Sequence, residues 1–340
     1  MRSSVLVIGC ALAPAVAAWV TPAPSTRRAP RVVASASASA IEVELLQFLP
    51  MMPPLAPGAE SQPLYTVEGV SAPVWLPAFQ GIAVLDDAGE QLLLDEEAAY
   101  TLGSGVCAHA TVATSEGAVL VACDDVSGAV LPLCASVQPD EVGAAMPLPV
   151  TTEGIGAPLE MLTAVSNGRL LAGATDGRLL RLSADDAPTT LLTGVSGMRS
   201  ACMSADDRTL FLCTDGGVLR ASIDLDEGTC ESPEWLSLEL PEGAAPTAIA
   251  IDTSDHLFVC TAEGVTVCSP SGEALARAST PEAVTGCCFG GASLADLYLA
   301  AGDTLWRLKT NTQGVEPPTA AFLKKMDKLT AAGEFRHEGW

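Results

Sequence analysis

With 340 residues and 49% apolar side chains, the chain is long enough to bury a sizeable core in one large all-β domain or two ordinary ones. Aromatics make up only 4%, so that core is mostly Ala, Val and Leu. The formal charge of −24 repels nucleic acid and anionic membrane surfaces, which excludes both as partners.

The charge is unevenly placed. Residues 1–40 carry Arg2, Arg27, Arg28 and Arg31 and no acid; without them 13 basic residues face 41 acidic ones, a net of −28. Such a surplus keeps the body soluble, or draws cations or a basic partner to it. Within residues 1–18, Arg2 precedes VLVIGCALAPAVAA, a signal-peptide pattern whose apolar run is too short to span a bilayer. The segment WVTPAPSTRRAPRVVASASASA that follows has the Ser-, Ala- and Arg-rich, acid-free composition of a plastid transit peptide. With Trp19 directly after Ala-Ala, the pair resembles the bipartite presequences of algae with secondary plastids. That resemblance implies a plastid protein, in the stroma because no second apolar segment signals transfer onward. Secretion is the alternative.

Residues 41–64 are a Pro-rich lead-in with one apolar stretch, IEVELLQFL. From about 65 to 310 short apolar strands alternate with turns rich in Asp, Gly, Asn and Ser, such as SNGRLL at 166–171, SADDRTL at 204–210 and TSDHLF at 253–258. Asp-Gly or Glu-Gly between alternating apolar residues, as in AGATDGRLLRLS and VCTAEGVTVCS, marks hairpins. Leu170, Leu210, Leu257 and Leu297 take equivalent places after their turns, at spacings of 40, 47 and 40 residues. Periods of that size with four strands each indicate propeller blades. Two earlier units, near 80–95 and 105–135, bring the count to six. The expectation is an all-β, six-bladed β-propeller with four-stranded blades. The tail PPTAAFLKKMDKLTAAGEF reads as one short amphipathic helix within 311–340.

The chain has 11 cysteines, none in a CxxC pair; Cys123, Cys213, Cys260 and Cys268 alternate with apolar residues inside strands and read as core thiols. The only histidines are His109, His256 and His337, too few for a zinc cluster and with no partner evident in the sequence. The acid pairs Asp86-Asp87, Asp124-Asp125, Asp185-Asp186 and Asp206-Asp207 sit at turns and read as solvated rims.

Four stretches, Ser71-Ala-Pro-Val-Trp75, GRLLAGAT from Gly168, DDRTLFLCTD from Asp206, and Thr285-Gly-Cys-Cys-Phe-Gly-Gly291 followed by a tyrosine strand, resemble the gluconolactonase, regucalcin (senescence marker protein) and luciferin-regenerating family. The resemblance runs from about 65 to 310. It implies a propeller whose central funnel holds a divalent cation, often calcium, that polarises a sugar lactone, with an acidic ligand acting as base for water.

Carried over residue by residue, the family's site is substituted here. Its first-blade Glu falls on Ser71, four residues before Trp75; its Asn falls on Arg199, seven before Asp206; its acidic ligand and base falls on Thr247, five before Asp252. Its substrate-binding Asn falls near Glu160. A guanidinium about 4 Å from a divalent ion at an effective dielectric of ~20 repels it by about 8 kcal/mol. No cofactor is therefore expected, unless the family site survives and holds calcium or another divalent cation. Glu160 and Arg199 are the candidate substrate-binding residues, either as an ion pair in the funnel or with Arg199 holding an anionic ligand. The expected function is a ligand- or partner-binding pseudoenzyme. The alternative is a metal-dependent hydrolase of sugar lactones or related esters with a rearranged site. Its partner is a small molecule or a protein, with no membrane span in the mature chain.

Overall fold

The structure, a computed structural model, describes residues 41–47, 52–76, 80–87, 91–94, 99–103, 106–114, 117–124, 130–135, 153–165, 169–183 and 186–316. The expected presequence at 1–40 and the expected C-terminal helix beyond residue 316 lie outside them. Among the described residues there is no helix, and hence none long and apolar enough to cross a membrane.

Two strands lead, β1 (Glu42–Leu45) and β2 (Ser61–Thr66), and both join sheets formed late in the sequence. Six antiparallel sheets then follow in chain order. The first holds β3 (Ser71–Leu76), β4 (Gly81–Leu85), β5 (Gln91–Leu94) and β6 (Ala99–Gly103). The second holds β7 (Val106–Thr114), β8 (Gly117–Asp124) and β9 (Val130–Ala135). The third holds β10 (Leu159–Val165), β11 (Arg169–Ala174), β12 (Leu179–Leu182) and β13 (Thr189–Leu192). The fourth holds β14 (Met198–Met203), β15 (Thr209–Thr214), β16 (Gly217–Asp224) and β17 (Thr229–Trp235). The fifth holds β18 (Ala248–Ile251), β19 (Leu257–Thr261), β20 (Gly264–Cys268) and β21 (Ala274–Ser279), with β1 added outside β21. The sixth holds β22 (Val284–Gly290), β23 (Asp296–Ala301) and β24 (Thr304–Lys309), with β2 outside β24.

The first strands of the sheets touch in order, β3 to β7, β10, β14, β18 and β22, and β22 returns to β3. This is a propeller ring. Five sheets have four or more strands, but the second has three among the described residues, so the expected set of six four-stranded blades is met by five.

The lead-in at 41–64 supplies β1 and the first residues of β2. Strand β2 closes the ring by pairing with β24, Gln62 opposite Arg307 and Thr66 opposite Thr304. Strand β1 covers the outer edge of the fifth sheet, with Glu42 opposite Ser279 and Leu45 opposite Ala276. Glu42 and Glu44 point to solvent while Val43 packs on the core, an edge guarded by charge.

The core lies between neighbouring sheets. Leu170, Leu210, Leu257 and Leu297, the residues that mark the repeat, each sit in the second strand of a sheet and are 0% exposed. Burying each contributes about 1.5–3 kcal/mol. Phe258 of the fifth sheet meets Phe289 of the sixth edge to face, 4.9 Å between ring centres, and Trp75 of the first stacks on Tyr298 of the sixth at 5.7 Å.

The turns bear out the Asp- and Gly-based reading. At 204–209 Asp206 accepts hydrogen bonds from the Ser204 hydroxyl and the Arg208 N–H, while Asp207 takes the left-handed conformation at φ 58. This acid pair therefore builds its hairpin rather than merely being solvated. The Ser204 hydroxyl, the Arg208 N–H and the nearby Arg208 charge hold the Asp206 carboxyl below its usual range. Gly264, at φ +133, leads β20 so close to β21 that a β-carbon there would lie 2.0 Å from the Ala278 carbonyl oxygen.

Candidate functional site

Inner strands of a propeller pair with only one neighbour in their own sheet, so their free edges face the axis. In this chain five of the six carry a β-bulge near their start. In β10 Glu160 is the extra residue between Leu159 and Met161; in β14 it is Arg199, in β22 Thr285 and in β7 Cys107. Strand β3 has one extra residue between Ser71 and Val74, where Ala72 sits at φ 46. A bulge re-aims a side chain out of the regular alternation.

All four residues singled out from the sequence lie at this end of the inner strands. Ser71 opens β3, Glu160 and Arg199 are bulge residues, and Thr247 immediately precedes β18. Their contacts differ from the expectation of a Glu160–Arg199 ion pair. Arg199 Nε donates to Asp215 Oδ1 at 2.8 Å, in an ion pair whose side chains are 50% and 59% exposed. Asp215 belongs to the turn after β15, which lies beside the bulge because Met198 pairs with Thr214. Glu160 instead accepts the Met198 N–H at 2.9 Å through Oε1. It thus reaches the backbone next to Arg199 while the guanidinium turns outward.

The hydroxyls are engaged as well. Thr247 Oγ1 donates to the Val284 carbonyl at 2.6 Å, across to the sixth sheet. Ser71 Oγ reaches the Leu85 carbonyl within its own sheet at 3.5 Å. The donor set at the three family ligand positions is therefore two hydroxyls, each turned to a carbonyl, and one guanidinium. A hard divalent cation requires several oxygen acceptors, preferably carboxylates, and this set does not fit one. Among the described residues no three His, Cys, Asp or Glu side chains come together in a metal-binding group.

Further polar groups at these strands were not evident from the sequence. Ser200 Oγ accepts the Ile249 N–H at 2.9 Å, Thr163 Oγ1 donates to the Ala201 carbonyl at 3.2 Å, and Thr285 Oγ1 donates to the Val70 carbonyl at 2.9 Å. For Ser200 and Thr285 a hydroxyl close to a strand start is the sequence signal; Thr163, mid-strand in β10, carries none.

His256 is not without a partner. Its Nδ1 lies 2.8 Å from Oδ2 of Asp252, which is 0% exposed. The same oxygen accepts the Thr312 hydroxyl at 2.8 Å, and Oδ1 accepts the Ser254 and His256 N–H groups. Burial pushes the Asp252 carboxyl up, but the His256 and Thr312 hydrogen bonds prevail and hold it below the usual range. Histidine and threonine both contact the carboxylate, so the arrangement clamps a turn to the 310–316 segment and has no nucleophile–base contact. His109 lies in β7.

Cys202, Cys213, Cys230, Cys260, Cys268, Cys287 and Cys288 are free thiols, while the side chain of Cys123 lies outside what the structure describes. Burial pushes Cys213 and Cys268 each up to about 12 and Cys230 up to about 11, and raises Cys202, Cys260 and Cys288 well above the ordinary thiol value. These thiols stay protonated and serve as packing, as read from their alternation in the sequence.

Among solved structures the chain is similar to a gluconolactonase from Xanthomonas campestris, at 18% identity over 84% of this chain and 99% of that one, with a TM-score of 0.68. It is also similar to a luciferin-regenerating enzyme, at 16% identity over 76% and 99% of the two chains and a TM-score of 0.57. A third is a calcium-binding regucalcin from Agrobacterium tumefaciens, at 14% identity over 75% and 95% of the two chains and a TM-score of 0.58. At such identities these likenesses speak to fold alone. Comparison with curated proteins finds no match. The family described as SMP-30/Gluconolactonase/LRE-like region matches residues 84–303, well over half the sequence, and the chain belongs to that family.

Proposed function

We propose that this protein is a non-hydrolytic member of its family, a propeller that binds a small molecule or a protein partner without the family's divalent cation. The observation that carries this reading is the donor set: Thr247 and Ser71 turn their hydroxyls to carbonyls, and the third family ligand position is Arg199, a guanidinium paired with Asp215 that offers no oxygen donor. Calcium and zinc titrations of the purified chain by calorimetry, with an assay of aldonolactone hydrolysis, test it. No metal heat and no turnover are expected; tight metal binding with turnover overturns it.

A second reading, a hydrolase with a rearranged site, is favoured by Glu160. It is a carboxylate on a bulge, with one oxygen accepting the Met198 N–H. On that reading lactone turnover is present and lost in Glu160→Gln.

The composition of residues 1–40 supports plastid targeting, with the stroma as destination. A fluorescent fusion to those residues, expressed in an alga with secondary plastids, is expected to fill the stroma. Export to the medium would refute that destination.

A further inference from the structure

We infer that the ring of this propeller is held by its own polar side chains, laced from sheet to sheet at the four junctions that run from the third sheet round to the first, and that this closure needs no divalent cation. The inference rests on the donor set described above, and it concerns stability rather than ligand binding.

The physical need arises at the free edge of each inner strand. Its outward N–H and C=O groups have no ladder partner, and a buried backbone group without one costs about 1–3 kcal/mol. At four successive junctions a side chain from one sheet meets this need in the next. From the third to the fourth sheet, Glu160 accepts from Met198 N–H at 2.9 Å and Thr163 donates to the Ala201 carbonyl at 3.2 Å. Between the fourth and fifth, Ser200 accepts from Ile249 N–H at 2.9 Å. From the fifth to the sixth, Thr247 donates to the Val284 carbonyl at 2.6 Å. From the sixth toward the first, Thr285 donates to the carbonyl of Val70, the residue before β3, at 2.9 Å, and also reaches the Ala300 carbonyl of its own sheet at 3.3 Å.

Glu160 and Thr285 are bulge residues, and Thr247 and Ser200 lie within a residue or two of their strand starts. The bulges therefore aim side chains sideways along the ring. A cation on the axis holds a ring by drawing ligands from several blades to one point. In this chain the same rim is held by a chain of pairwise contacts around it.

The test is thermal unfolding of the full chain. Neither excess calcium nor excess chelator should move Tm. Thr247→Val and Thr285→Val should each lower it by roughly 2–4 °C, the shift expected for one lost hydrogen bond in a domain of this size. Thr247→Ser, which keeps the hydroxyl, should melt like the wild type. Thr280→Val removes a hydroxyl that bonds locally to the Glu282 carbonyl, away from the ring, and should leave Tm unchanged. A wild-type Tm that rises with calcium or falls with chelator overturns the inference, as do valine variants that melt like the wild type. If Thr247→Val does not fold, the chelator melt and the Thr247→Ser melt still decide. Lactone turnover with a cation-independent Tm would sink the non-hydrolytic reading and leave this inference standing.

Discussion

The Thr247 hydroxyl and the Val284 carbonyl, 37 positions apart in sequence, meet at 2.6 Å across the seam between the fifth and sixth sheets. The family resemblance assigns an acidic metal ligand and base to position 247, and this contact gives that position a different role.

On the proposed reading the substitutions at three positions remove cation affinity, so restoring the family residues should confer it. The combined variant Ser71→Glu, Arg199→Asn and Thr247→Asp replaces the guanidinium with a neutral oxygen donor and adds two carboxylates. It is expected to show calorimetric calcium heat and a calcium-dependent rise in Tm that the wild type lacks. A triple variant that folds yet ignores calcium would place the three positions away from a common point.

Arg181 is 6% exposed and ties β12 to the turn after β16, donating through Nη1 to the Leu225 carbonyl at 2.5 Å and the Asp226 carbonyl at 3.0 Å. Arg181→Leu leaves those carbonyls without that donor and should cost about 3 kcal/mol in denaturant unfolding. By contrast Arg199→Ala breaks a half-exposed ion pair and should cost less than about 1 kcal/mol.

The Asp252 carboxyl titrates below its usual range in the folded protein. A carboxyl depressed by folding contributes stability that is fully present above its unfolded value, about 4, and is lost as pH falls through the folded value. Asp252→Asn should therefore melt below the wild type at pH 7, and the gap should close under acid. A gap that stays constant from pH 7 down to acid would rule out the carboxylate as its source.

Strand β1 covers the edge of β21. A chain starting at residue 52 leaves that ladder edge open and should associate with increasing concentration in size-exclusion chromatography. A truncated chain that elutes at one unchanged volume across concentrations would show that the edge protects itself.

Much of this architecture was legible in one dimension. The leucine spacing located the second strand of four sheets because a buried side chain must recur wherever the chain re-enters the core. The Asp-Gly and Glu-Gly dipeptides located hairpins because their backbone needs are local. The thiols read as packing because they alternate with apolar residues. Among the described residues the second sheet has three strands, a count that the leucine spacing, which begins at Leu170, does not reach. The pairing of β1 and β2 was not legible either, because a ladder edge accepts any extended segment of suitable length.

At the site, the sequence by itself determined which residue types stand at the inner-strand starts: Ser71, Glu160, Arg199 and Thr247. Through the family resemblance, those residue types imply a ligand set short of acids. Only the tertiary structure decided where those side chains point. Arg199 reaches Asp215 rather than Glu160, Thr247 reaches Val284, and His256 finds Asp252 together with Thr312, 60 positions beyond it. The physical reason is that strand periodicity encodes which face a residue takes within its own sheet. A bulge breaks that alternation, and the partner waiting at the seam belongs to another sheet that local pattern does not specify.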